Sequence, residues 1–357
     1  MVFCGRKYVY GNERYIKAMR VDELDYDLPR EMIAQHPSGE RSRSRLLAYD
    51  RATGRIDHRR FSDVVSYLRE GDVLVLNDSK VFPARLKALK PTGGQLDILL
   101  VRSLGNGSWE CLARGIGKSE AALPVTIGEY TASLAKQNGS LVVSFASEKE
   151  ADEAMRKFGR MPLPPYIKRN GGDGVEDFDR YQTVYAENDG SIAAPTAGFH
   201  FSGELLGTIR SQGVDIIKIT LHIGIGTFSL IHTETLEEHQ MHGEHYELDD
   251  ASRLFLKEAR KAGRRIVACG TSSVRTLETV FQANGNALPR GRTELFIYPG
   301  YKFSAVDALI TNFHLPRSTP LMLVAAFMGT QSLKKAYKEA ISAGYRFYSY
   351  GDAMFIS

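Results

Sequence analysis

The sequence predicts an α/β protein: a larger α/β domain carrying a smaller inserted antiparallel β-barrel domain. Two observations predict it. From Ser202 onward, β-branched runs alternate with helical stretches, as in a sheet covered by helices. Between Gly71 and about Glu148 the pattern changes to short strand-like runs separated by glycine-bearing turns, which suits a small barrel or sandwich. The expected division is an α/β catalytic domain from 19–70 and 158–357, an inserted barrel at 71–157, and an N-terminal extension at 1–18.

The elements follow in order. Met19 stands just before the first patterned segment, so residues 1–18 are expected to carry no chemistry and Met19 is a candidate start. The barrel strands are read from GDVLVLND, ARLKALK, QLDILLVRSL, SWECLARG, GEYTASLA and SLVVSFAS. Pro162, Pro164 and Pro165 mark the return to the α/β domain, and Gly171–Gly174 reads as a mobile loop. Ser202 is placed to cap a helix through Glu204–Ser211 that stops at Gly213. Strands are expected at Val214–Leu221, Arg265–Cys269, Glu294–Tyr298, Ala308–Asn312 and Arg346–Tyr350. Helices are expected at Ala251–Ala262, Val274–Ala283, Pro320–Met328 and Leu333–Ser342. No internal repeat or low-complexity tract interrupts them.

Composition narrows the class. With 43% hydrophobic and 25% charged residues in 357, the chain is globular and long enough for a real core. A net charge of +4 permits nucleic-acid binding without demanding it. Arg41, Arg43, Arg45, Arg51, Arg55, Arg59 and Arg60 crowd one stretch. Such a run tracks phosphates in some proteins and is a plain solvated face in many others. Cys4, Cys111 and Cys269 are scattered and form no CxxC, which disfavours a disulfide framework or zinc ribbon. No apolar run is long enough for a membrane helix, and the N-terminus lacks a signal-peptide core. A cytoplasmic protein is expected.

The polar residues cluster where ligands bind in open α/β sheets, beyond the carboxyl ends of strands. After VDIIKITL come His222, Gly224, Gly226, Thr227 and Phe228. After RIVAC come Gly270, Thr271, Ser272, Ser273 and Arg275. After ELFIY come Pro299, Gly300 and Tyr301, and after ALIT come Asn312, Phe313 and His314. That repeated choice of glycine, hydroxyl, amide, imidazole and guanidinium marks an active site without naming the reaction. GTSSVR combines hydroxyls, helix-start amides and a guanidinium, all suited to an anion, although simple capping also uses Thr or Ser. Asn77-Asp78-Ser79-Lys80 ends another strand, with Arg85 close behind; a plain turn has the same spacing. Thr196 and His200 lie in APTAGFHF before the capped helix, and His200 has the right chemistry for an acid or base. His239, His242 and His245 tempt a metal reading, but HExxH is absent and Gly243 weakens a helix there. His58 and His232 read as surface residues.

Several segments together resemble one family: YDLPREMIAQHP (26–37), GDVLVLNDSKVFPARL (71–86), AAPTAGFHF (193–201), LHIGIGTF (221–228), CGTSSVRTLE (269–278), FIYPGYKFSAVDALITNFHLPRSTPLMLVAAF (296–327) and YRFYSYGDAMFI (345–356). The chain is similar to the S-adenosylmethionine:tRNA ribosyltransferase-isomerases of queuosine synthesis from about residue 19 onward; 104–160 matches only loosely. The resemblance implies that S-adenosylmethionine donates a ribosyl unit to 7-aminomethyl-7-deazaguanine at the wobble position of tRNA. The unit rearranges to give epoxyqueuosine-tRNA, and adenine and methionine leave. It implies no metal and no cofactor beyond the co-substrate.

On that reading one group must remove a ribose proton acidified by the sulfonium and another must assist adenine departure. His200 and His222 are the expected pair, with Asp78 a further candidate. Thr271, Ser273 and Arg275 are expected at the methionine carboxylate. Thr196, Gly224, Gly226, Thr227, Asn312 and His314 are expected around the rest of the donor. Lys80, Arg85, Arg43 and Arg45 are expected at tRNA phosphates, and Phe199, Phe228 and Tyr301 against a base taken out of the anticodon loop. A monomer is expected, away from membranes. Three other classes compete: an RNA methyltransferase, disfavoured by the lack of a glycine-rich loop after an N-terminal strand; a metal hydrolase built on the histidine cluster; and a non-catalytic RNA-binding protein, which would not need polar strand ends.

Overall fold

The structure, a computed structural model, describes residues 8–9, 16–116, 122–169, 175–282 and 288–357. Cys4 and Gly171–Gly174 lie outside the described residues, as does the Phe228 side chain. The chain divides into two compact units: 1–77 with 196–221 and 226–357, and 78–195 with 222–225.

The first unit is built on a nine-stranded mixed sheet. Its order is Arg290–Thr293, Glu244–Glu247, Asp215–Leu221, Val73–Asn77, Ile266–Cys269, Ala308–Asn312, Ala353–Ile356, Arg45–Tyr49 and Ile56–Arg60. The four strands from Asp215–Leu221 to Ala308–Asn312 run parallel. Parallel strands are covered on both faces and read as continuous apolar runs, and all five residues of Val73–Asn77 are buried. That strand, read above as part of the barrel, therefore lies in the large sheet. A short apolar run carries no period that separates the two settings. The outer strands carry Arg59, Arg60, Arg290 and Arg292, and charge on an edge discourages pairing with another chain.

Helices Gly203–Ser211 and Asp250–Lys261 are capped by Ser202 and Asp249, whose side chains accept from Leu205 and Ser252 amides at 3.1 and 2.9 Å. Helix Thr319–Met328 starts on Ser318 with proline in its first turn, where its missing N–H costs nothing.

Two expected strands are absent. Residues 294–298 are irregular: the Thr293 and Leu295 carbonyls accept from Arg275 at 3.3 and 3.0 Å, and the Leu295 amide donates to the Thr293 hydroxyl at 3.2 Å. Side chains thus take the groups a ladder would use; the strand here is Arg290–Thr293. Residues 346–350 turn instead of extending, with Tyr348 at φ 73°. Asp352, 1% exposed, accepts the Arg346 and Arg45 amides at 2.8 and 2.9 Å, and the last strand is Ala353–Ile356.

The second unit holds a closed antiparallel barrel. Its order is Leu123–Ile127, Tyr130–Gln137, Ser140–Phe145, Ser108–Arg114, Gln95–Gly105 and Arg85–Leu89. Alternate residues such as Leu86, Ala88, Leu96, Ile98 and Leu100 are buried, so side chains fill the interior of this narrow barrel. The unit also contains helix Glu148–Phe158 and a parallel pair, Asn188–Ser191 with Ser79–Val81. The mixed α/β sheet and the barrel inserted in the sequence are the predicted fold class. Among the described residues, no helix is long and apolar enough to cross a membrane.

A buried ion pair stands at the start of strand Val73–Asn77. Asp72 is 1% exposed and accepts from Arg265 at 3.1 and 2.5 Å and from the Arg69 amide at 3.0 Å. Removing one partner of such a pair strands the other charge, at a cost of about 3–5 kcal/mol when burial is complete. Arg265 keeps some exposure, so Asp72→Ala is expected to lower unfolding stability by about 3 kcal/mol, measured as an earlier midpoint in urea.

Candidate active site

Helix Thr271–Gln282 begins directly after Ile266–Cys269 and packs on three of the parallel strands. It starts three residues before the expected Val274. Ser272–Glu278 are all buried, so each polar side chain in that stretch needs an internal partner. Ser273 donates to the Cys269 carbonyl at 2.7 Å, and Thr276 to that of Ser272 at 3.2 Å. Arg275 pairs with buried Glu244 and donates to the Thr293 and Leu295 carbonyls. The carboxylate that Arg275 meets is therefore internal, and Ser273 is turned toward the strand. Glu278, 0% exposed, accepts from Tyr301 and Ser304 hydroxyls and from the amides of Ser304, Ala305 and Val306 at 2.9–3.2 Å. This carboxylate holds the loop that follows Gly300. Thr271, half-buried at the first helical position, is left at the strand end.

The end of Ala308–Asn312 carries a connected network. Asn312, 2% exposed, donates from Nδ2 to the Tyr348 carbonyl and to His200 Nε2, each at 3.2 Å. Its Oδ1 accepts from Thr196 Oγ1 at 3.1 Å. His200 Nδ1 lies 2.7 Å from Ser44 Oγ, which in turn donates to the Arg41 carbonyl at 3.4 Å. His200 is 3% exposed; burial pushes its imidazole down to about 3, with the charges of Arg346 and Arg41 acting the same way. Thr196, Asn312 and His200 are thus brought together, and both His200 nitrogens are engaged. Ala197 lies beside Gly270, whose φ is 86°. At the neighbouring strand end, Asn77 spans Leu221 N and O at 3.0 Å each and donates to Ser272 Oγ at 3.0 Å.

The second unit gathers Asp78, Lys80 and His222 around 187–191. Asp78 is 5% exposed and accepts from the Asn188 side chain at 3.1 Å. Lys80 reaches Asp189 at 3.4 Å. Half-buried His222 lies so close to Gly190 that a Cβ there would sit 2.8 Å from the ring. Gly190, at φ 143°, is thus required by the imidazole. Gly226 is likewise required: a Cβ on it would meet His242 at 2.9 Å.

Other expected residues stand apart. His314 hydrogen-bonds Thr311 at 2.7 Å, its amide donates to Tyr337 at 3.0 Å, and burial pushes its imidazole down to about 3. Arg45 lies 3.8 Å over the Tyr345 ring and donates to the Ala343 carbonyl, whereas exposed Arg43 pairs with Glu40 at 3.2 Å. Arg85 pairs with Asp97 at 3.4 Å. Phe199 is buried and Tyr301 half-buried. The segment 239–243 is not helical, His239 packs edge-on against Phe296, and His242 and His245 are exposed. Among the described residues, no group of three or more His, Cys, Asp or Glu is arranged to hold a metal ion.

A family model described as queuosine biosynthesis protein matches residues 21–356. The chain belongs to that family. The S-adenosylmethionine:tRNA ribosyltransferase-isomerase of Thermotoga petrophila is 47% identical over 341 residues, covering 95% of this chain and all of the relative. That of Staphylococcus haemolyticus is 45% identical over 344 residues, with the same coverage. A crystal structure of S-adenosylmethionine tRNA ribosyltransferase from Thermotoga maritima matches with 37% identity and a TM-score of 0.54, covering 94% of this chain and all of that one.

Sequence reasoning missed Ser44, Glu244 and Glu278, and it named Asn77 and Ser272 only as polar residues at strand ends, without a role. Asn77 and Glu278 carried a signal, a polar residue closing an apolar run and a carboxylate in a buried helical phase. Ser44 and Glu244 carried none, since their partners are far along the chain.

His200 also sets a pH dependence. Its folded value lies below the unfolded value of about 6.5, so the unfolded chain binds the extra proton between those limits. The contribution is complete above about 6.5 and is lost as pH falls toward 3. Urea unfolding at pH 7 and pH 5 is expected to show a loss of roughly 2 kcal/mol from this group, absent in His200→Gln.

Proposed function

We propose that the strand-end groups described above carry out the family's reaction as follows. The chain transfers the ribosyl moiety of S-adenosylmethionine to tRNA and isomerises it, forming epoxyqueuosine. The observation that carries this is the match over 95% of the chain and the whole of the relative at 47% identity. The acceptor is the aminomethyl nitrogen of 7-aminomethyl-7-deazaguanine at the wobble position, and the products besides modified tRNA are adenine and methionine.

The sulfonium acidifies the adjacent ribose C–H, and His222 takes that proton. Its partial exposure supports the role. Asp78, buried beside Asn188, is the second candidate for proton transfer, toward the departing adenine. Thr271 and the first amides of helix Thr271–Gln282 receive the methionine carboxylate. Thr196, with Asn312 behind it, faces the donor, and Gly224, Gly226 and Thr227 line its approach. Lys80, Arg85 and Arg43 meet tRNA phosphates; Arg45 is committed to Tyr345 and Ala343. The larger α/β part, which takes in Val73–Asn77, carries the donor site, and the smaller part holds the barrel of Arg85–Phe145. The protein works as a monomer in the cytoplasm; arginines on both sheet edges and the buried thiols of Cys111 and Cys269 support this.

Purified protein mixed with S-adenosylmethionine and tRNA bearing the aminomethyl base is expected to release adenine and methionine, read by chromatography, with a matching mass gain on the tRNA. Appearance of S-adenosylhomocysteine would replace this reading with methyl transfer. His222→Ala is expected to lower kcat by about 10²-fold or more, the contribution of a general base; unchanged turnover would remove His222 from that role.

A further inference from the structure

The network at Asn312 has a fixed direction. A carbonyl only accepts, so the Asn312 atom facing the Tyr348 carbonyl is the amide nitrogen. The second hydrogen of that nitrogen points at His200 Nε2, which must therefore be a lone pair. The ring proton is then on Nδ1 and is donated to Ser44 Oγ, whose own proton goes to the Arg41 carbonyl. A protonated imidazole would set N–H against N–H at Asn312. Burial and the nearby Arg346 and Arg41 charges favour the same neutral ring.

The opposite side of Asn312 decides the rest. Its Oδ1 only accepts, so Thr196 must spend its single hydroxyl proton on it. What remains on Thr196 Oγ1, a half-buried group at the sheet's carboxyl edge, is acceptor capacity alone. We infer that Thr196 is a specificity-determining acceptor for an O–H or N–H donor of the bound sulfonium nucleoside, and that His200 is a positioning residue that sets this polarity through Asn312. The inference rests on the reading of S-adenosylmethionine as the donor. That molecule offers three groups of the required chemistry: ribose hydroxyls, the adenine amino group and the α-ammonium. A base would need an open lone pair, and His200 has none to give.

The test is binding, so that loss of chemistry does not obscure it. Calorimetric titration with S-adenosylmethionine is expected to give about tenfold weaker binding for Thr196→Val, the worth of one hydrogen bond, and near-normal binding for Thr196→Ser. Analogues lacking the α-amino group, the adenine amino group or one ribose hydroxyl are then titrated against wild type and Thr196→Val. The analogue lacking the group that Thr196 meets shows no further loss in the variant, and this identifies the donor. His200→Phe is expected to mimic Thr196→Val, with His200→Gln restoring binding because its amide oxygen replaces the Nε2 lone pair. Additive losses for every analogue, or equal binding by Thr196→Val and wild type, would overturn the acceptor assignment. If His200→Gln binds normally but the rising limb of the pH profile of kcat/KM disappears, His200 is the base and the positioning role is wrong. Wild-type protein that binds and turns over S-adenosylmethionine while the variants behave so would sink this inference and leave the activity standing. Absence of wild-type binding would remove both.

Discussion

Burial of the strand Val73–Asn77 on both faces is the constraint on which the rest of the first unit depends. A parallel strand between two parallel neighbours gives all its backbone groups to the sheet and all its side chains to the core. Polar groups are then tolerated only at its ends. At one end Asp72 neutralises Arg265; at the other Asn77 ties Leu221 to Ser272. The chemistry-bearing residues collect at the carboxyl ends because the interior excludes them.

The same constraint explains how the helix Thr271–Gln282 uses its polar side chains. A helix buried nearly all round has no solvent to satisfy them. Arg275, expected at a ligand carboxylate, is taken up by Glu244, and Glu278 by the loop 301–306. A buried charge left without a partner costs several kcal/mol, so these pairs tie the loops they join to the helix. The active-site edge gains its order from these internal pairs.

The arginine run from Arg41 to Arg60 shows the limit of reading charge as function. Arg41, Arg45 and Arg51 donate to carbonyls of Phe199, Ala343 and Asp307, and Arg59 and Arg60 lie on an outer strand. Most of the run thus anchors chain segments or guards a sheet edge. Exposed Arg43 pairs with Glu40, and in the second unit Lys80 and Arg85 pair with Asp189 and Asp97.

The sequence by itself determined the fold class, the cap at Ser202 and the family, because periodicity, capping chemistry and motif order are local properties read within a few residues. It also placed the polar groups at strand ends, since turn residues after apolar runs are visible in one dimension. It did not decide that Val73–Asn77 belongs to the large sheet, nor that 294–298 and 346–350 leave the ladder. Those outcomes depend on partners such as Arg275 and Asp352, distant in the chain or acting as side-chain substitutes for a strand. Nor did it separate His200 from His222. The two imidazoles are chemically alike in the sequence, and only tertiary packing made one of them buried, neutral and fully engaged.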